Sequence, residues 1–346
     1  MNAESSNAEP PNDGPHPSVA VVVIGRNEGE RLKRCLASVQ QNASTVVYVD
    51  SGSTDGSAAY ARAEGAHVVA LDMSIPFSAA RARNAGFELL RKVAPGVAFV
   101  QFIDGDCELN AGWLAVAQRE LERHSDWAIV CGRRRERFPE ASLYNRLCDV
   151  EWDTPLGEAT ACGGDFLVVA SVFDEVGGFN PTVIAGEEPE LCHRIRATGR
   201  RIVRLDHEMT LHDAAMTHRA QWWKRVERAG YAFALVCALH LRSPRRIWVR
   251  QVASIVCWGG LPLALALSSP IVGPSAFLGL LLYPLLWVKT YRYLRGARAL
   301  PPDVARSYAT ACVLGKFVEL RGVVRAFLDL AFRRTRTIIE YKSVSA

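Results

Sequence analysis

The sequence predicts an α/β fold: a doubly wound, mostly parallel sheet with helices on both faces, followed by a C-terminal membrane-associated helical segment. Three observations carry this expectation. Apolar β-branched runs alternate with stretches of helical periodicity, several of those runs end in acidic or glycine-rich turns, and a long stretch late in the chain has no charge.

Val19–Ile24 is a short unbroken apolar run, as expected of a parallel strand buried on both faces. Gly29–Gln41 follows with helical spacing of Leu32, Cys35, Leu36 and Val39. Thr45–Asp50 is a second strand, Ser57–Glu64 a helix, His67–Leu71 a third strand, Ala79–Lys92 a helix and Ala98–Ile103 a fourth strand. Short links between these units predict right-handed β-α crossovers in one sheet. Past Asn110 the expected order is a helix over Gly112–His124, a strand over Ala128–Gly132 and a loop-rich stretch to Gly164. A strand over Phe166–Ala170, a helix over Glu188–Thr198 and a strand over Arg201–Leu205 close the domain.

Between Arg250 and Lys289 no residue is charged, a length about twice the ~20 residues a helix needs to cross a bilayer. Pro270, Gly273 and Pro274 interrupt it, which favours a hairpin with spans near 251–268 and 271–288. Arginines and lysines flank both ends, so both flanks belong in the cytoplasm under the positive-inside rule, with Ser268–Ser275 opposite. The competing reading is a buried core hairpin or a re-entrant pair. The division of the chain is then a disordered tail (1–17), a globular domain (18–230), a juxtamembrane linker helix (231–250), the hairpin (251–288) and a cytoplasmic amphipathic helical tail (289–346).

The formal charge of +5 comes from basic residues intermixed with acids, which excludes a nucleic-acid footprint. Nine cysteines without a C-x-x-C pair or metal-ligand spacing indicate reduced thiols in a cytosolic compartment. Residues 1–17 are polar and proline-rich with no apolar core of a signal peptide.

The strongest chemical feature is Asp104-Gly105-Asp106, placed after an apolar strand. Two carboxylates one residue apart at a strand's C-terminal end face the crevice where open α/β sheets bind ligands. Their hard oxygens suit Mn²⁺ or Mg²⁺, which would hold a diphosphate. Asp50 ends another buried strand, where a charge needs a partner; a nucleobase or ribose would supply one. In the following Ser51–Gly56 turn, Ser53 and Asp55 also suit helix capping. Glu28, after the first strand, equally suits a first helical turn.

Together Val21–Glu28, Val49–Gly56, Ala82–Gly86, Phe102–Asp106, Gly163-Gly164 and Gly186–Leu191 with Arg194 resemble glycosyltransferase family 2, the inverting enzymes of GT-A fold. The resemblance runs from Ser18 to Gly230 with the motifs in order. It implies that Asp50 and Glu28 contact the donor base, Arg83 the pyrophosphate, and Asp104 the ribose region and metal. It further implies that Asp106 ligates the metal, Gly163 and Gly164 leave room where acceptor and sugar meet, and Glu188 is the general base. Two departures stand out: Ser51 occupies a position that is usually acidic, and the Glu-Asp pair of the family is Glu187-Glu188, so either glutamate is a candidate base. His212 is a candidate third metal ligand, with a structural histidine the competing reading; His218 is the weaker alternative. Gln221-Trp222-Trp223-Lys224-Arg225 differs in order from the processive members' motif and suits a membrane surface, which favours addition of a single sugar.

The expected activity is inverting transfer from a nucleotide-sugar donor to a lipid-linked or cell-envelope saccharide acceptor, at the cytoplasmic face of the inner membrane. The alternative is a catalytically silent sugar-nucleotide-binding scaffold of the same fold. A nucleotidyltransferase fits poorly, because Gly25-Arg26-Asn27-Glu28 is no glycine-rich phosphate loop.

Overall fold

The computed structural model describes residues 16–334 and Thr337. The tail expected over 1–17 lies almost wholly outside the described residues; the first strand begins at His16. In chain order the elements are β1 (His16–Gly25), α1 (Glu30–Gln40), β2 (Ala43–Asp50), α2 (Ser57–Ala63), β3 (His67–Ala70), α3 (Ala79–Val93) and β4 (Phe99–Asp104). Then come β5 (Cys107–Leu109), α4 (Trp113–Arg123), β6 (Trp127–Glu136), α5 (Leu143–Trp152), β7 (Gly157–Glu158), β8 (Phe166–Val169), α6 (Ala170–Glu175), α7 (Glu187–Ala197) and β9 (Arg201–His212). Four further helices follow: α8 (Arg219–Leu239), α9 (Val249–Val272), α10 (Leu282–Gly296) and α11 (Pro302–Ala331).

One mixed sheet runs β3-β2-β1-β4-β8-β6-β9-β5, with β7 on β9. Its first half is the parallel sheet expected: β1 pairs in parallel with β2 and with β4. Val19–Val23 are completely buried, as a strand covered on both faces requires. Register then does the functional positioning, aligning Gly25 with Asp50 and Ile24 with Asp104. The C-terminal ends of three strands therefore lie side by side, with Asp50 and Asp104 flanking the end of β1. β8 is antiparallel to both β4 and β6, and returns the chain to that same edge.

α3 lies unusually close to the sheet. A Cβ on Gly86 would sit 2.4 Å from Val22 Cγ1 and 2.9 Å from Val49 Cγ2, so only glycine permits this approach. The closeness matters because α3 carries Arg83.

Three expectations need correction. The stretch to Gly164 is not simply loop: β6 runs on to Glu136, and α5 follows, capped by Ser142 Oγ, which accepts from Asn145 N–H at 3.0 Å. The last strand does not stop at Leu205 but reaches His212, because β6 keeps pairing with it as far as Glu136↔His212. Trp222 is core rather than membrane surface, buried with Leu147, Cys148 and Met216.

Among the described residues one helix, Val249–Val272, is long and apolar enough to cross a membrane, with mean hydropathy 1.8 and little of it buried. The chain breaks at Gly273, inside the range expected for the second span. The second arm is a 3₁₀ stretch, Pro274–Leu281, that leads into α10, so it is not a single helix matching the first. The expected domain boundary at Gly230 falls within α8, which α11 packs against.

Candidate active site

The turns after β1 and β2 are stitched together. Ser53 Oγ accepts from Asn27 N–H at 2.9 Å, Asn27 Oδ1 accepts from Thr54 N–H at 2.7 Å, and Asp55 accepts from Gly29 and Ser57 N–H groups, each at 3.0 Å. Ser53 and Asp55 are thus structural. Asp50 is buried, and its carboxylate accepts from Gly52 N–H, Ser53 N–H and the Tyr48 phenol. The chain itself satisfies this charge, so burial of Asp50 does not on its own call for a ligand. Glu28 lies alongside, ion-paired with Arg31 at 2.8 Å.

At the end of β4 a row of charges links β4, α3 and α7. Arg83 donates through Nη2 to Asp104 Oδ1 at 2.8 Å and through Nη1 to Glu187 Oε1 at 3.0 Å. Burial opposes the Arg83 charge, but Asp104 and Glu187 outweigh it and hold the guanidinium protonated. Gly164 sits against this row: a Cβ there would meet Arg83 Nη2 at 2.9 Å and Asp104 Oδ2 at 3.1 Å. A side chain at 164 would close the space between these groups.

Two residues unforeseen from the sequence complete the row. Asp165 is fully buried; it accepts from Asp104 N–H and Thr210 Oγ1 and pairs with Arg134 at 2.9 Å. Arg134 in turn lies over the Trp152 ring, which packs 4.6 Å from the His212 ring. Burial works against the Arg134 charge too, and Asp165 and the nearby carboxylates overcome it. The cue available in sequence was Asp165 standing directly before an apolar strand.

Asp106, just before β5, and His212, at the end of β9, meet because these neighbouring strands pair Cys107 with His212. His212 Nε2 is 3.0 Å from Asp106 Oδ2, and both side chains are buried. The other ring nitrogen, Nδ1, has no hydrogen-bond partner. Cys107 lies within the same 4.8 Å cluster of potential ligand atoms, and burial pushes its thiol well above the ordinary range. A carboxylate and an imidazole converging in this way suit Mn²⁺ or Mg²⁺ with further oxygen ligands. Asp104, also expected to share the metal, pairs through Oδ1 with Arg83 and is not among the atoms of that cluster. His218 is not part of the site: it begins α8, where Gln221 Oε1 accepts from its N–H.

The two candidate bases part company. Glu187 belongs to the Arg83 row. Glu188 is buried and turns to Cys162 and Cys192, with its Oε1 accepting from Cys162 N–H at 2.6 Å and from the thiols at 3.1 and 2.9 Å. Burial pushes the Glu188 carboxyl up, against the opposing effect of those hydrogen bonds.

Comparison with known proteins agrees with this geometry. Residues 20–160 match the model of glycosyl transferase family 2. The chain is 27% identical to a pre-mycofactocin glycosyltransferase of Mycobacterium tuberculosis over 353 aligned residues, covering 96% of this chain and 67% of the relative. Its fold is similar to that of a mannosyltransferase from Pyrobaculum calidifontis solved in complex with GDP-Man and Mn²⁺. The TM-score there is 0.62 at 18% identity, over 92% of this chain and 91% of the other. Asp50, Arg83, Asp104 and Asp106 lie within the matched segment and Glu187 and His212 beyond it, and the chain is a glycosyltransferase in which residues 20–160 match the family 2 model.

Proposed function

We propose that the protein transfers a single sugar from a nucleotide-sugar donor to an acceptor hydroxyl by one direct displacement, with inversion at the anomeric carbon. The observation that carries this reading is the meeting of Asp106 and His212 at 3.0 Å beside the Arg83–Asp104 pair, all at the C-terminal ends of the strands. Asp106 and His212 would hold Mn²⁺ or Mg²⁺, which when bound offsets the charge of the departing nucleoside diphosphate. Glu28 and Asp50 line the base side of the donor, and Asp104 the ribose side. Arg83, fixed between two carboxylates, presents a permanent positive charge toward the diphosphate without having to reorganise. Gly163 and Gly164 keep the junction of sugar and acceptor open.

We assign the general base to Glu188 and a positioning role to Glu187. Glu187 is neutralised by Arg83 at 3.0 Å, whereas burial raises the proton affinity of Glu188, the direction a base working near neutrality requires. Glu188→Gln is expected to lower kcat by about 10²–10⁴-fold while nucleotide-sugar affinity measured by calorimetry is unchanged. Full activity of that variant, or of Asp106→Ala with no dependence on divalent metal, would refute the mechanism. The anomeric configuration of the product, read by NMR, tests inversion.

α9 supports a membrane anchor, with the catalytic domain on the cytoplasmic face and a lipid-linked or envelope saccharide as acceptor. A second reading is favoured by one observation: Glu188 is enclosed by three donors of its own chain. On that reading the protein is a silent nucleotide-sugar-binding scaffold, and donor binding without any transfer to a panel of acceptors would establish it.

A further inference from the structure

Arg133 and Arg135, which alternate with Arg134 along β6, line a second cleft of about 660 Å³, away from the Asp106–His212 pair. This volume lies in the range of small-ligand sites. The loop after α5, the middle of β9 and Arg298, just past α10, complete its walls. Arg135 is occupied by a two-pronged pair with Glu208, and Asp206 stands beside it. The other three arginines share one carboxylate, and Arg298 Nη2 also donates to the Val150 and Asp153 carbonyls at the end of α5. Asp153 lies 3.6 Å from Arg133 Nε, 3.4 Å from Arg204 Nη2 and 3.9 Å from Arg298 Nη2. All three separations exceed the 2.7–2.9 Å of a good charge-assisted hydrogen bond. Arg133 has a second acid, Asp149, at 3.0 Å, yet burial still pushes its guanidinium down from its ordinary value, and the Arg135 and Arg204 charges add to this. Arg204 is only 5% exposed, lines the cleft, and its Nε has no hydrogen-bond partner.

A half-exposed carboxylate loosely shared by three guanidinium groups is a weak occupant of a site shaped for a stronger one. A phosphate offers more charge than a carboxylate and three terminal oxygens, which match planar, forked donors arriving from several directions. We propose that this cleft binds a phosphate-class anion, with Arg133, Arg204 and Arg298 turning from Asp153 to the ligand. The site is separate from the donor site and does not depend on the reaction assigned there. The phosphate is supplied either by a soluble phosphate ester or by a lipid headgroup, since Arg298 follows directly on the arm that leaves the apolar hairpin.

The test uses the full chain in micelles with a neutral headgroup, with EDTA present so that no metal-held diphosphate contributes. Titration with inorganic pyrophosphate, followed by calorimetry, is expected to give saturable binding. Arg298→Ala, at a partly buried position past the end of α10, should weaken it about tenfold or more. Asp153→Asn removes the competing carboxylate and should tighten binding several-fold, the opposite of what loss of a structural ion pair would do. Asp106→Asn should leave pyrophosphate affinity unchanged. Absence of saturable binding, loss of it in Asp106→Asn, or weaker binding in Asp153→Asn with none of the expected loss in Arg298→Ala, would each overturn the proposal. Competition by nanodiscs that contain phosphatidic acid, but not by phosphatidylcholine alone, identifies a lipid headgroup as the source. Pyrophosphate binding that both kinds of nanodisc leave intact identifies a soluble ester.

Discussion

Asp165 organises the site without facing it. It is fully buried, and it ties the backbone of β4 to β9 and to Arg134. Removing one member of a buried ion pair strands the other charge. Asp165→Asn is therefore expected to lower unfolding stability by about 3–5 kcal/mol in urea denaturation, with donor binding impaired as Asp104 loses its anchor. Glu188 gives a prediction in pH. Its carboxyl is raised by burial, and a base works only when deprotonated, so kcat/KM must fall as pH drops through that raised value. The acid limb of the pH–rate profile should therefore lie above the ordinary glutamate range, and Glu188→Asp should move it. At this scale the legible residues were those at strand ends. Asp104 and Asp106 follow an apolar run that fixes where they point. Arg134 was illegible because it stands between two other arginines, and only the pairing of β6 with β8 and β9 decides which of the three faces Asp165.

At the scale of the element, α3 and its glycine decide how far Arg83 reaches. Gly86→Ala would drive a methyl group into Val22, and such overpacking costs about 1–3 kcal/mol. A lower Tm with a raised donor KM is the expected signature, since the helix that carries Arg83 must lift from the sheet. The parallel half of the sheet was plain from its β-branched runs, because both faces are buried and little else competes. The second half was harder. Asp206-His207-Glu208 looks like the end of a strand, yet β9 continues through it because β6 supplies backbone partners on that edge. α5 was hidden for a different reason: its buried positions include Asn145 along with Leu147, Cys148 and Val150, so the helical stripe is not purely apolar. Ser142, a good N-cap three residues before Asn145, was the available signal.

At the scale of the whole molecule, the apolar helix is the part least accounted for by packing within the chain. Leu263 is 65% exposed and Leu267 71%, and such a surface on a soluble protein would be a liability. The protein is expected to float with liposomes in a density gradient. Leu263→Lys and Leu267→Lys should each weaken insertion by about 2.5–3.5 kcal/mol if the position lies at mid-bilayer, which flotation would register as a shift to the soluble fraction. The charge-free run had marked this segment, but not its asymmetry: Gly273 and Pro274 turn the second arm into a 3₁₀ stretch and a helix that runs past Lys289.

α8 and α11 approach so closely that a Cβ on Gly230 would lie 2.1 Å from the Glu319 carbonyl oxygen, and one on Gly322 2.1 Å from that of Glu227. The chain therefore leaves the catalytic body through one helix and comes back to it through another that is seated backbone to backbone. A mooring with two lines does not swing. With α9 in a bilayer, the cleft would stand at a set distance above the headgroups, and only an acceptor whose hydroxyl reaches that height would be used. Spacer length in the acceptor then becomes a selected property, and Gly322→Val, by slackening one line, should broaden the lengths accepted in a transfer assay.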